Sequence, residues 1–167
     1  QGVSSAASDV YKRQALSDHR KKAGERFVSQ VTEELEFLNM PKVKLVVQQK
    51  TGKLTINGMD SIEFLISANL GEEPKPIAKI ASGGELSRIM LAIKNIISYN
   101  DTIGTLIFDE IDAGISGRTA QRVAEKLCTL SQKRQVICIT HLPQIAAMAD
   151  VHFMIEKAVQ DLSLIHI

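Results

Sequence analysis

Cysteine is scarce in this chain: Cys128 and Cys138 are its whole complement. The pair has neither metal-ligand spacing nor the density of a disulfide framework, so both are expected to be buried, reduced thiols. The four histidines are equally scattered, and no zinc site is read from them. An excess of one charge sign is missing too, since 20 basic and 19 acidic residues leave a formal net charge of +1. The whole-chain charge therefore gives no argument for nucleic acid, anionic lipid or an acidic partner, and any such binding must be local. The longest apolar runs are too short to cross a bilayer, and no charged start followed by an apolar run marks a signal peptide. No membrane partner is expected, and the default location is cytoplasmic. What remains is ordinary globular composition, 44% hydrophobic and 23% charged over 167 residues, enough for one domain with a real core.

Residues 1–14 are small, polar and aperiodic and are read as a non-native or disordered tail, as is the segment 159–167. Residues 15–40 form one unit: Leu16, Ala23, Phe27, Val31, Leu35 and Leu38 recur at helical spacing, and Pro41 closes the pattern. The stripe fits the end of a coiled coil and a helix lying on a core equally well. Residues 41–158 form the main unit. Val43 to Val47 and Ile62 to Ser67 read as strands, the second bounded by the turn residues Asn57-Gly58 and Asn69-Leu70-Gly71. A polar, proline-containing loop follows from Gly71 to Ala81. Glu85 to Tyr99 is then a helix, Thr105 to Phe108 and Val136 to Ile139 are short apolar strands, and Arg118 to Ser131 is the helix between them. Strand, helix, strand means a parallel pair, so the fold class is α/β. A short helix near Pro143 leads to an expected third strand, Val151 to Ile155. Ligands of such sheets sit at the carboxyl ends of the strands, where Asp109-Glu110 and Thr140-His141 both fall.

Ser82-Gly83-Gly84-Glu85 precedes an apolar periodic run, and Ser-x-x-Glu in that place is a capping box. The two glycines open a second reading, because a helix start cleared of side chains exposes N–H donors that attract phosphate. The same hydroxyl can cap or touch a ligand. Asp109-Glu110 is either a polar strand end or a magnesium-holding aspartate followed by a general base. His141 is either solvated or placed to donate a hydrogen bond to the same phosphate. Ser116-Gly117-Arg118 reads mainly as a turn and cap for the following helix.

Taken together, Ser82-Gly83-Gly84-Glu85, the strand into Asp109-Glu110-Ile111-Asp112, and Ile139-Thr140-His141 resemble the signature, Walker B and switch-histidine motifs of ABC-type ATPases. The form is that of the SMC branch: transporter subunits more typically carry Gln where this chain has Glu85 and Pro where it has Ile111. The resemblance runs from about Ala15 to about Ala158 and implies the C-terminal lobe of an ATPase head, preceded by the end of a coiled-coil arm. It further implies ATP and Mg²⁺ as cofactors, and a sandwich in which one head's signature caps the nucleotide held by a second copy. By motif matching, Ser82, Gly83 and Gly84, with Glu85, would bind that nucleotide. Asp109 would serve Mg²⁺, Glu110 would activate water and His141 would sense the γ-phosphate. DNA as a partner, double-strand break repair as the process, and a bacterial, nucleoid-associated location follow from the resemblance alone.

One departure is decisive for this chain. No Gly-x-x-x-x-Gly-Lys-Ser/Thr occurs, and Gly52-Lys53 runs into Leu54. The resemblance assigns that loop to an N-terminal half of the head, so the chain alone is not expected to hydrolyse ATP. Ser116 also stands where many relatives have an acidic residue. Two other readings stay open: the ATPase subunit of a transporter, or another SMC-like ATPase, and a non-catalytic interaction module in which the capping box and strand-end acids are structural. The basic cluster Arg20-Lys21-Lys22 with Arg26 fits a solvated helix face as well as a DNA contact.

Overall fold

The computed structural model describes residues 2–69, 71–79, 83–98, 102–160 and 163–166. The first element, α1 (Gly2–Phe37), is 36 residues long, or about 54 Å at 1.5 Å per residue. It starts at Gly2 rather than near Ala15, so residues 2–14 are helical and not a disordered tail. No proline or glycine interrupts positions 3–14, and lengthening an existing helix is far cheaper than starting one. Helical spacing is nevertheless informative about packing: Val31, Leu35 and Leu38 are fully buried, while Val10 and Tyr11 are exposed. The helix thus lies on the core only at its C-terminal end and runs outward as an arm.

Asn39, rather than Pro41, ends the helix. Its φ of 62° is left-handed, and Met40 N–H donates to Leu35 O at 2.8 Å while Asn39 N–H donates to Glu36 O at 3.0 Å. That bond pair is a Schellman ending, with Asn in the position that tolerates positive φ.

The chain then forms a long antiparallel hairpin, β1 (Lys44–Thr55) and β2 (Gly58–Ser67), in register from Lys44 opposite Ser67 to Thr51 opposite Asp60. A two-residue strand β3 (Lys75–Pro76) joins its inner edge inside the expected loop. The hairpin is longer than the apolar pattern shows, because Gln48 to Thr55 carries little alternation and is held by contacts to the arm. Arg20 donates to Asp60 Oδ2 at 3.2 Å and to Asn57 O at 2.6 Å, and Ser17 Oγ donates to Asp60 Oδ1 at 2.7 Å. Arg20 of the basic cluster is therefore engaged inside the fold. Gly24 admits Val47 against the helix, where an added Cβ would sit 3.3 Å from a Val47 methyl.

Beyond the hairpin, α2 (Gly83–Ile97) packs between α1 and α3 (Gly117–Ser131). Ile89, Leu91 and Ala92 are fully buried, a wider stripe than one contact face provides, which is what burial on two sides requires. On α3, Ala120, Val123, Ala124, Leu127 and Leu130 are buried at i, i+3, i+4, i+7 and i+10. Each fully buried large aliphatic side chain contributes about 1.5–3 kcal/mol of transfer free energy. Ser116 occupies the N-cap of α3, yet its hydroxyl makes no capping hydrogen bond, so the expected cap is positional only.

β4 (Thr105–Phe108) and β5 (Gln135–Cys138) pair in parallel, from Thr105 opposite Gln135 to Phe108 opposite Cys138. A short helix, α4 (Pro143–Ala146), follows with proline in its first turn. The third parallel strand is not formed. Residues 151–156 are irregular, with Val151, Phe153, Met154 and Ile155 all at least 68% exposed, and they pair with neither β4 nor β5. Instead β6 (Lys157–Gln160) and β7 (Ser163–His166) pair as a separate antiparallel ribbon. One face of the parallel pair packs inward through Leu106, Phe108, Val136 and Cys138, while Ile107, Ile137 and Ile139 stand exposed on the other. Among the described residues no helix is long and apolar enough to cross a membrane. Both cysteines are half-buried free thiols.

Candidate functional site at the strand ends

Gly83 opens α2; Ser82 lies outside the described residues, and so does the reading of its hydroxyl. The two glycines are required by close approach. A Cβ on Gly84 would lie 2.8 Å from Ala113 Cβ and 2.9 Å from Glu110 O, and one on Gly83 would lie 2.1 Å from Glu110 Oε2. Removing both side chains lets the turn that follows β4 rest directly on the helix start. Glu85, half-buried in the first turn, supplies negative charge near Arg88.

That turn is held from α2. Ser87 Oγ donates to Asp109 O at 2.7 Å, and the buried Arg88 donates through Nη1 to Ile111 O at 3.2 Å and Ala113 O at 3.0 Å. Burial depresses the guanidinium's pKa, and the neighbouring Glu85 charge opposes the shift. Charge-assisted bonds to carbonyls contribute about 1.5–3 kcal/mol each, enough to lock the turn against the helix. Within it, Glu110 adopts φ 56°, a left-handed conformation uncommon for a residue with a side chain. Asp109 Oδ1 accepts the Glu110 N–H at 2.9 Å, and Ala113 N–H closes on Glu110 O at 3.0 Å. The two acids are exposed but turned differently by this geometry.

The neighbouring strand supplies the other wall. Ile139 N–H donates to Phe108 O at 2.9 Å, continuing the parallel pairing up to Thr140-His141. Adjacent strands lie about 4.8 Å apart, so the acids of one strand end and the histidine of the next share one edge. Asp112 bridges them: Thr140 Oγ1 donates to its Oδ2 at 2.5 Å and His141 N–H at 2.9 Å. Burial alone would raise the Asp112 carboxyl, but these hydrogen bonds and the His141 charge hold it below its ordinary value of 3.8. Under the same edge, burial and the nearby Asp112 and Asp109 charges push the Cys138 thiol up to about 11.

The arrangement offers a helix start stripped of side chains, a carboxylate with one oxygen uncommitted to the described hydrogen bonds, a second carboxylate resting on that helix start, and an exposed imidazole. Gly83, Gly84, Asp109, Glu110 and His141 are thus brought to one end of the β4–β5 pair. Among the described residues no three His, Cys, Asp or Glu side chains form a metal cage; a magnesium ion held chiefly by phosphate and water needs only one such carboxylate. Gly52-Lys53 lies within β1, away from any helix start. Arg88, Ser87 and Asp112 carry geometric weight that motif reading did not assign. One signal was present: Arg88 follows Gly84 by four and precedes Leu91 by three, a lone charge inside the buried stripe of α2.

No protein-family model matches the chain. Among curated proteins it is 51% identical over 153 residues to DNA repair protein RecN of Treponema pallidum, covering 86% of this chain and 26% of that protein. It is 47% identical over 148 residues to DNA repair protein RecN of Halalkalibacterium halodurans, again 86% of this chain and 26% of the relative. The chain is a segment of the RecN type. It spans about a quarter of the length of the RecN proteins it matches. In three dimensions it is similar to the Smc head domain with an extended coiled coil from Pyrococcus furiosus, at a TM-score of 0.56 and 23% identity over 90% of this chain and 36% of that one. That likeness shows the fold, an SMC/ABC-type head lobe with a parallel pair and flanking helices.

Proposed function

We infer that this chain supplies the C-terminal lobe of an ATP-binding and hydrolysing, SMC-like head that acts in double-strand break repair and recombination. The observation that carries the reading is the seating of the Glu110 turn on the bare Gly83-Gly84 helix start, beside the histidine just beyond β5. A helix start without side chains suits a phosphate, through free N–H donors and the positive end of the helix dipole. In the assembled head the nucleotide's phosphates would come to rest against a P-loop from an N-terminal half, with a second copy facing it. Mg-ATP, when bound, supplies the polyphosphate and a Lewis-acidic cation.

The roles proposed for this chain's residues follow from the motif resemblance. Ser82, Gly83 and Gly84, with Glu85 setting the charge around the first turn, meet the nucleotide of the facing head. Asp109 would hold Mg²⁺ through its carboxylate, Glu110 would serve as the base for the attacking water, and His141 would make the γ-phosphate contact. DNA is a partner of the whole protein, and its setting is the bacterial cytoplasm at the nucleoid. Without a P-loop the chain alone does not turn over ATP.

The test uses the chain mixed with an N-terminal half bearing a P-loop. Mg-ATP-dependent association is expected, and its absence favours the interaction-module reading. In the assembled protein Glu110→Gln lowers turnover by roughly 10²–10⁴-fold and leaves nucleotide binding intact; hydrolysis at the normal rate would refute the assignment.

A further inference from the structure

Asp112 differs from the acids beside it. Asp109 and Glu110 are exposed, whereas Asp112 is only 4% exposed. A buried carboxylate is costly unless its oxygens are bonded. Here a single oxygen, Oδ2, accepts from two donors, Thr140 Oγ1 and the His141 amide, and the His141 ring Nδ1 lies 3.1 Å from the same oxygen. The hydroxyl and the amide are enough to staple the 109–113 turn to the end of β5. The ring contact is different in kind, because it ends on a side chain that is 76% exposed. Facing Nδ1 toward a buried carboxylate leaves Nε2 on the far, open side of the ring.

We propose that Asp112 is a positioning residue for His141, keeping the ring proton on Nδ1 and presenting Nε2 outward as the nitrogen that meets a ligand oxygen. The identity of that ligand, a nucleotide phosphate, rests on the function inferred above; the tautomer rests on geometry alone. An imidazole nitrogen beside a carboxylate must carry a proton, since two lone pairs would otherwise face each other. Neutral His141 then has a lone pair at Nε2, which repels a phosphate oxygen. The ring donates to that oxygen only with a second proton, as an imidazolium whose charge Asp112 balances. Because its hydrogen bonds keep Asp112 ionised at neutral pH despite burial, the acceptor is always in place. The same carboxylate sits in the turn that carries Glu110, so it ties the base and the phosphate-sensing ring to one rigid piece.

The tautomer is read from ¹⁵N chemical shifts of the histidine ring nitrogens in the full chain, at a pH about two units above the ordinary imidazole value of ~6.5. Wild-type His141 is expected as the Nδ1–H form, the reverse of the usual preference of free imidazole. Asp112→Ala returns it to Nε2–H, while Thr140→Val, which leaves the carboxylate in place, does not. Finding the Nε2–H form in the wild type overturns the proposal, and so does an unchanged tautomer in a folded Asp112→Ala chain; if that variant does not fold, the wild-type spectrum decides. In the assembled ATPase, Asp112→Asn lowers kcat about 10–100-fold, the range for loss of a group that orients a functional histidine, with KM for ATP unchanged. A loss confined to KM counts against it. Absence of wild-type turnover would refute the nucleotide reading and leave the tautomer measurement to decide Asp112's role.

Discussion

Replacing Gly84 with alanine tests the packing that places Glu110. The new methyl would lie 2.8 Å from Ala113 Cβ, 2.9 Å from Glu110 O and 3.1 Å from Ala113 O. The carbon–carbon approach is about 1 Å inside the ~3.5–4.0 Å optimum. None of these atoms can yield alone, because all belong to the turn that Arg88 and Ser87 clamp. Overpacking of this kind costs about 1–3 kcal/mol, against a helix-propensity gain of up to about 1 kcal/mol for Gly→Ala. The net expectation is a loss of about 1–2 kcal/mol, or a fall in Tm of about 2–8 °C for a chain of this size. Gly83→Ala is the internal control, since its methyl would meet Glu110 Oε2 at 2.1 Å, the far end of a flexible side chain. Glu110 swings aside, stability is unchanged or slightly raised, and hydrolysis by the assembled head falls because the base is displaced. Urea denaturation of both variants, with turnover measured after assembly, separates the two effects. If Gly84→Ala matches the wild type in stability, or Gly83→Ala loses more than Gly84→Ala, the account of the glycine pair is wrong.

Arg88→Met keeps the apolar stem but strands the carbonyls of Ile111 and Ala113, so a loss of about 2–4 kcal/mol is expected; a urea midpoint within experimental error of the wild type would show that the clamp is dispensable. Asp112 has a lowered carboxyl pKa in the fold: burial works against this, but the Thr140 hydroxyl and the His141 amide bond to its charged form and prevail. Its contribution is therefore fully present above the unfolded carboxyl value and is lost as pH falls through the lower folded value. Urea midpoints measured downward from neutral pH should stay level in this term until about pH 4 and then drop, with the acid limb shallower in Asp112→Asn. Cys138, whose thiol is pushed up to about 11, should resist iodoacetamide at pH 8 in the folded chain and react after denaturation, as read by mass spectrometry of its peptide; rapid native labelling would contradict its burial.

The elements that read correctly are those whose pattern is local. The apolar stripes of α2 and α3, the runs of β4 and β5 with a helix between them, and the glycine pair before α2 are all specified within a few residues of chain, and they were enough to place Asp109, Glu110 and His141 at one sheet edge. Errors arise where partners are distant. Residues 48–55 have no strand pattern of their own and are held extended by β2 and the polar contacts of Ser17 and Arg20 on the arm. Residues 151–155 have a strand pattern, but an apolar run does not specify a partner, and they stay unpaired and exposed beside the two-stranded β4–β5 sheet. Residues 2–14, polar and aperiodic, still continue a helix because no proline interrupts them.

Residue order carries the identity of the candidate site groups, because carboxylates, an imidazole and a side-chain-free helix start are properties of residue type and spacing. It does not carry their mutual constraint. That Glu110 rests on Gly83, that Arg88 spends its charge on two carbonyls of the Glu110 turn, and that Asp112 gathers Thr140 and His141 onto one oxygen depend on segments more than 20 positions apart meeting at hydrogen-bond distance. Seating of α2 on the turn that follows β4, with β5 paired beside β4, brings them together, and hydrogen bonds that act only over about 3 Å then make the arrangement specific.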